Sequence, residues 1–132
     1  MSMNAVPMVA VLDVRESALF YERLLGAVSG HGGDEYEQIL VGGKLVLQLH
    51  DCREDASHGP LRDLDVHPGN GVLLWFTADD FEAQLARVKE HGIPLLREPA
   101  RNPYSGCMEL WLSDPDGYRI VIAGSSDRED KR

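Results

Sequence analysis

The sequence predicts an α+β fold made of two βαβββ modules. Three observations support this. An apolar strand followed by an acid-capped helix occurs twice, each helix leads on to a hairpin pattern, and the landmarks of the two copies share one offset.

In the first copy, Val6 to Leu12 is apolar on both faces, as in a strand covered on each side, with Pro7 at its beginning. Asp13-x-x-Glu16 has capping-box spacing and opens a helix. Ala18, Tyr21, Leu24 and Leu25 form its apolar stripe, and Gly26 stands where a C-cap belongs. Ala27 to Gly33 is broken by glycine and gives only a weak strand signal. Tyr36 to Val41 and Lys44 to His50, separated by Gly42-Gly43, form a hairpin. From Asp51 the periodicity stops, and a polar segment with Gly59, Pro60, Pro68 and Gly69 reads as a linker or lid.

The second copy begins with the apolar strand Gly71 to Thr77, and Asp79-x-x-Glu82 repeats the capping box. Phe81, Leu85 and Val88 supply the stripe, and Gly92 closes the helix. Ile93 to Arg97 and the run from Met108 to Ala123 complete the copy. In that run, MELWLS and YRIVIA flank Asp114-Pro115-Asp116-Gly117, a turn with a preset corner at Pro115 and a free φ at Gly117. Asp13 and Asp79, Glu16 and Glu82, and Gly26 and Gly92 are all separated by the same interval. The expected organisation is one domain over residues 1–132, with modules at 6–50 and 70–123, a linker at 51–69 and a disordered tail at 124–132. One module alone is too small to bury its apolar strand faces, so the two must pair.

The helix DVRESALFYERLLG (Asp13 to Gly26) and the turn DPDGY (Asp114 to Tyr118) resemble the vicinal oxygen chelate superfamily, which includes glyoxalase I, extradiol dioxygenases and bleomycin-resistance proteins. The resemblance spans residues 6 to 123. It implies that the modules pair into a curved mixed sheet around a cleft, and that the protein is a homodimer. In metal-dependent members each copy supplies ligands near the start of its first strand and in its last strand. The matching places here are Val6, the neighbourhood of Val72 and Leu73, Leu47 or Gln48, and Val121. One amide among aliphatic side chains cannot hold a divalent ion, so no metal and no cofactor is expected. His50, His58 and His67 cluster with Asp51, Asp55, Asp63 and Asp65, but at no recognised ligand spacing. They read as solvated linker histidines, with a site through His58 and His67 left open.

Thirteen Lys plus Arg against twenty-two Asp plus Glu give a net charge of −9, which argues against nucleic acid or an anionic membrane as partner. The sequence has neither a bilayer-length apolar run nor the charge order of a signal peptide, and its two cysteines, Cys52 and Cys107, lack CxxC spacing. A cytoplasmic protein with free thiols is expected.

The candidate ligand-binding residues are Gln48, His50, Trp75, Tyr104, Trp111 and Arg119. Each of the two tryptophans either stacks on a planar ligand or cation or packs in the core. Gln48 and His50 share one face of VLQLH, which points either into the cleft or to solvent. Arg119 shares a face with Val121 and is an anion handle or an edge-strand charge. Tyr104 and Cys107 lie in the loop before the last hairpin, where family members often cover the ligand. Glu109 is a base or a half-exposed strand carboxylate. These residues suit a metal-free binder of a small aromatic or cationic molecule. A metal-dependent lyase or dioxygenase and a dimeric scaffold without ligand stay open.

Overall fold

The computed structural model describes residues 1–53 and 59–124. The described chain forms two compact units, one within Met1–Val66 and one beginning at His67. The boundary falls inside the expected linker, so residues 67–69 belong with the second module.

The first unit contains β1 (Met8–Val11), α1 (Val14–Leu25), β2 (Val28–Ser29), β3 (Tyr36–Val41) and β4 (Lys44–Asp51). Asp13 caps α1 as its spacing predicts, its Oδ1 accepting the Glu16 N–H at 3.0 Å, and Gly26 ends the helix at φ 68°. The sheet order is β1-β4-β3-β2, with β1 parallel to β4 and the other pairs antiparallel. Val9, Val11, Leu47, Leu49 and Ile39 share one face and are buried, as are Val14, Ala18, Tyr21 and Leu24 of α1. Burying such side chains contributes about 1.5–3 kcal/mol each, which fixes the register because a slip of one residue would expose the whole set.

The second unit contains β5 (Leu74–Thr77), α2 (Phe81–Glu90), β6 (Ala100–Arg101), β7 (Met108–Ser113) and β8 (Arg119–Ala123), ordered β5-β8-β7-β6. Again the first and last strands are parallel neighbours. Leu74, Leu110, Leu112, Ile120 and Ile122 are buried on one face. Each module is therefore an α+β βαβββ unit with a four-stranded mixed sheet, as the sequence predicts. Among the described residues no helix is long and apolar enough to cross a membrane.

Three local expectations are corrected. The cap of α2 is Asp80 rather than Asp79, with Oδ1 accepting the Ala83 N–H at 3.0 Å. Gly92 does close the helix as expected: after Glu90 and the cap residue His91 it takes φ 63°, its N–H reaching Lys89 O while the Ile93 N–H reaches Val88 O, a Schellman closure. Ile93 to Arg97 forms no strand: Pro94 lacks a donor, and the segment meets β7 through the Leu96 N–H on Trp111 O at 2.7 Å. Finally, Val6, Pro7, Leu12 and Gly71 to Leu73, which the apolar runs include, lie outside β1 and β5.

Candidate functional site

The site begins with the turn between β7 and β8. Asp114 is buried, and its Oδ1 accepts the N–H groups of Asp116, Gly117 and Tyr118 at 3.0, 2.9 and 2.9 Å. That three-fold bond holds the register Trp111↔Val121 and Ser113↔Arg119. Trp111 and Arg119 are thus diagonal neighbours on one face, within reach of each other for side chains of their length.

Residues 67–73 cross the end of this hairpin. A Cβ on Gly69 would lie 3.0 Å from Tyr118 Cδ1, and one on Gly117 would lie 3.2 Å from His67 Nε2. A side chain at either position would crowd that approach, which glycine leaves open. His67 Nδ1 lies 2.9 Å from Pro68 O, and the Val72 N–H donates to Gly69 O at 2.8 Å. The segment lines a partly open cavity of about 420 Å³ together with Trp111, Gly117 and Arg119. Its walls offer an indole, a guanidinium, an imidazole, the Asn70 amide and the apolar Val72 and Leu73. This wall was hidden in the sequence, where Gly and Pro suggested a linker and His67 a solvated histidine.

Trp111 is held from behind. Its Nε1 donates to Glu109 Oε1 at 3.0 Å, and the Arg97 guanidinium carbon stands 4.4 Å from the ring centroid. Arg97 and Asn102 Nδ2 also donate to Glu109, at 3.4 and 3.0 Å. Glu109 is only 3 % exposed, which corrects the expectation of a half-exposed strand carboxylate. Three donors orient it as a support for the indole.

Trp75 pairs with Val121 and shares the face of Trp111, but it is 49 % exposed and is not part of the cavity wall. Tyr104 is 91 % exposed on a turn whose amides bond to Asn102 Oδ1, and it too stands outside the cavity.

In the first unit, Gln48 and His50 share a face with Gln38 and Tyr36. Tyr36 Oη donates to Gln48 Oε1 at 2.5 Å, Gln48 Nε2 donates to Val6 O at 3.2 Å, and Gln38 Nε2 donates to Tyr36 Oη at 3.3 Å. The Tyr36 and His50 rings meet edge-on at 6.4 Å. On the opposite face Glu37 is fully buried. Burial alone would raise its pKa, but Arg15 and the N–H groups of Gln38, His31 and Gly32 more than offset this and bring it to about 2. Sequence reasoning did not single out Glu37, because its face became visible only with the strand register.

The candidates thus fall into groups. Trp111 and Arg119 line one cavity, Trp75 lies on the same sheet, Gln48 and His50 lie on the first sheet, and Tyr104 stands alone.

A metal fits poorly at the positions the family resemblance suggests. Gln48 Nε2 does bond to Val6 O, so these two positions adjoin, but the amide is already engaged on both of its atoms. Val6 has no donor side chain, and Val121 is aliphatic and fully buried. Among the described residues no three of His, Cys, Asp and Glu gather into a possible metal site. His58 lies outside the described residues.

A family model described as Glyoxalase/Bleomycin resistance protein/Dioxygenase superfamily matches residues 5–122. No curated protein matches the chain. Among solved structures, an integron cassette protein from the mobile metagenome of V. cholerae is similar at 20 % identity and TM-score 0.73, over 96 % of this chain and 97 % of that one. A lactoylglutathione lyase from Agrobacterium tumefaciens is similar at 21 % identity and TM-score 0.70, over 94 % of both chains. A bleomycin resistance determinant encoded on transposon Tn5 is similar at 20 % identity and TM-score 0.68, over 94 % of this chain and 98 % of that one. Likeness at this identity concerns the fold.

Proposed function

The chain belongs to the Glyoxalase/Bleomycin resistance protein/Dioxygenase superfamily, and from that premise we propose that it is a metal-free binder of a small aromatic molecule, working as a cytoplasmic homodimer. One observation carries the reading. Trp111 and Arg119, both singled out in the sequence for ligand contact, line the same cavity of about 420 Å³. That volume lies within the range of about 300–1,000 Å³ typical of small-molecule pockets. Of the aromatic and cationic ligands the sequence leaves open, the walls favour the aromatic, since among the described residues they include an indole and no carboxylate.

The family's Lewis-acid chemistry needs donors at places where this chain has Val6, Gln48 and Val121. A sequestering or sensing role needs only shape and a few polar groups, and these are present. The cytoplasmic placement is supported by the two free thiols, Cys52 buried and Cys107 partly exposed.

The test pairs elemental analysis of the purified, dialysed protein with quenching of its tryptophan fluorescence by a panel of bicyclic aromatic compounds. The expected result is saturable quenching by at least one compound with no stoichiometric metal. A transition metal retained at one per chain would overturn the reading, as would a panel with no binder.

A further inference from the structure

We propose that the cavity selects aromatic ligands that carry an acidic group, a carboxylate or a phosphate, with Arg119 as the residue that pairs with it. The inference rests on the reading of this cavity as a ligand site, and adds the charge of the ligand.

Among the described residues, three arginines face buried carboxylates: Arg15 with Glu37, Arg53 with Asp51, and Arg97 with Glu109. Arg119 differs from them. It forms no ion pair among the described residues and lies in the wall of a cavity that contains no Asp or Glu. Its sheet neighbours offer no charge either, since Ser113 stands opposite on β7 and Ile120 and Tyr118 flank it.

In a chain of net charge −9, a guanidinium at a concave site with no carboxylate partner among the described residues is a local reversal of the field. A planar guanidinium binds carboxylate or phosphate oxygens through two parallel N–H donors, a stronger and more directional contact than one between neutral groups. The Trp111 ring, diagonal to Arg119 on the same face, is placed to take the flat part of a ligand whose acidic end meets the arginine. Arg97, over the Trp111 ring, is committed to Glu109 and does not compete for the anion. A cationic aromatic compound would meet Arg119 with like charge and find no carboxylate in the wall.

The test uses the full chain and four probes of one ring system: 2-naphthoate, 2-naphthyl phosphate, neutral 2-naphthamide and 2-naphthylmethylammonium. Titration calorimetry at low ionic strength gives each Kd for the wild type, Arg119→Gln and Arg119→Lys. At least one anion is expected to bind about tenfold more tightly than the amide, the size of one charge-assisted pair, with the ammonium weakest. Arg119→Gln should erase that preference. Arg119→Lys should keep part of the preference. Whichever anion wins separates carboxylate from phosphate ligands. Backbone amide shifts centred on residues 67–73, Trp111, Gly117 and Arg119 would place the probe in the cavity.

Amide binding that equals both anions in the wild type would overturn the charge assignment and leave the cavity reading standing. So would an anion preference that survives Arg119→Gln. Failure of all four probes to bind would sink both.

Discussion

Trp75 and Trp111 flank Val121 in a single row of the second sheet, one across the β5–β8 ladder and the other across β7–β8. The two rings are not equivalent. Trp75 is 49 % exposed, whereas Trp111 is partly buried with its Nε1 bonded and a guanidinium against its ring. Trp75→Ala is expected to cost about 1–2 kcal/mol. Trp111→Ala is expected to cost about 3 kcal/mol, because packing is lost and buried Glu109 loses a donor. Urea unfolding of both variants checks this, and equal losses would contradict the assignment.

Helix capping gives a sharper comparison, because two adjacent aspartates compete for one role. Asp80→Ala should destabilise the protein by about 1 kcal/mol, while Asp79→Ala should stay within about 0.5 kcal/mol of wild type. Thermal melts of the pair decide the matter, and the reverse order would return the cap to Asp79.

Acid stability should depend on Glu37. Its pKa is about 2 in the folded protein against an ordinary 4.5, so its contribution is present in full above pH 4.5 and is lost as pH falls towards 2. A shift of this size corresponds to roughly 3 kcal/mol. Asp51 titrates in the same direction, lowered to about 2 chiefly by its hydrogen bond from Arg53, and would remain in a Glu37 variant. Denaturant midpoints measured between about pH 5 and 3 should therefore fall less steeply for Glu37→Gln than for wild type. Parallel curves would show that Arg15 and the three amides do not hold the carboxylate as described.

Three glycines near the cavity separate backbone strain from crowding. Gly69, Gly71 and Gly117 all have positive φ, but an added Cβ would meet Tyr118 at Gly69 and His67 at Gly117, and nothing at Gly71. Gly71→Ala should cost about 1 kcal/mol, and Gly69→Ala and Gly117→Ala clearly more. Chemical denaturation of the three variants is the check. A Gly69→Ala protein as stable as Gly71→Ala would mean that the 67–73 wall does not lie against Tyr118.

The proposed dimer predicts a light-scattering mass of twice 14.6 kDa at micromolar concentration. A single-chain mass across that range would remove this part of the proposal.

Most of the element order was legible in the sequence, because apolar alternation and punctuation act locally. Gly42-Gly43 and Asp114 to Gly117 mark their hairpins without reference to the rest of the chain. The α2 cap was misread because Glu82 completes a capping-box pattern with Asp79, whereas the backbone turns into the helix one residue later. Trp111 and Arg119 were each legible as candidates, but their diagonal placement on one face came only with the register of β7 and β8. The opposing wall was not. Nothing in His67 to Leu73 announces that Gly69 comes up against Tyr118 and Gly117 against His67, since those contacts are tertiary. Glu37 escaped, and the burial of Glu109 with it, for a related reason: a carboxylate in a strand looks like a surface residue until its donors arrive from distant segments.

In each sheet the first strand of the module lies parallel to the last, so Met8 finds Gln48, and Leu74 finds Ile120, only after roughly 40 residues of intervening chain are in place. The antiparallel ladders β3–β4 and β7–β8 need only their short turns and can form first, each offering a free edge to the strand that arrives from upstream. During synthesis β1 therefore leaves the ribosome well before the edge it needs, and stays unpaired until β4 follows. Its run of Val9, Ala10 and Val11 is the stretch most exposed to misassociation in that interval. Slowing translation across β4 should lower the yield of folded protein more than slowing it across β8, where the turn held by Asp114 closes the ladder as soon as it emerges.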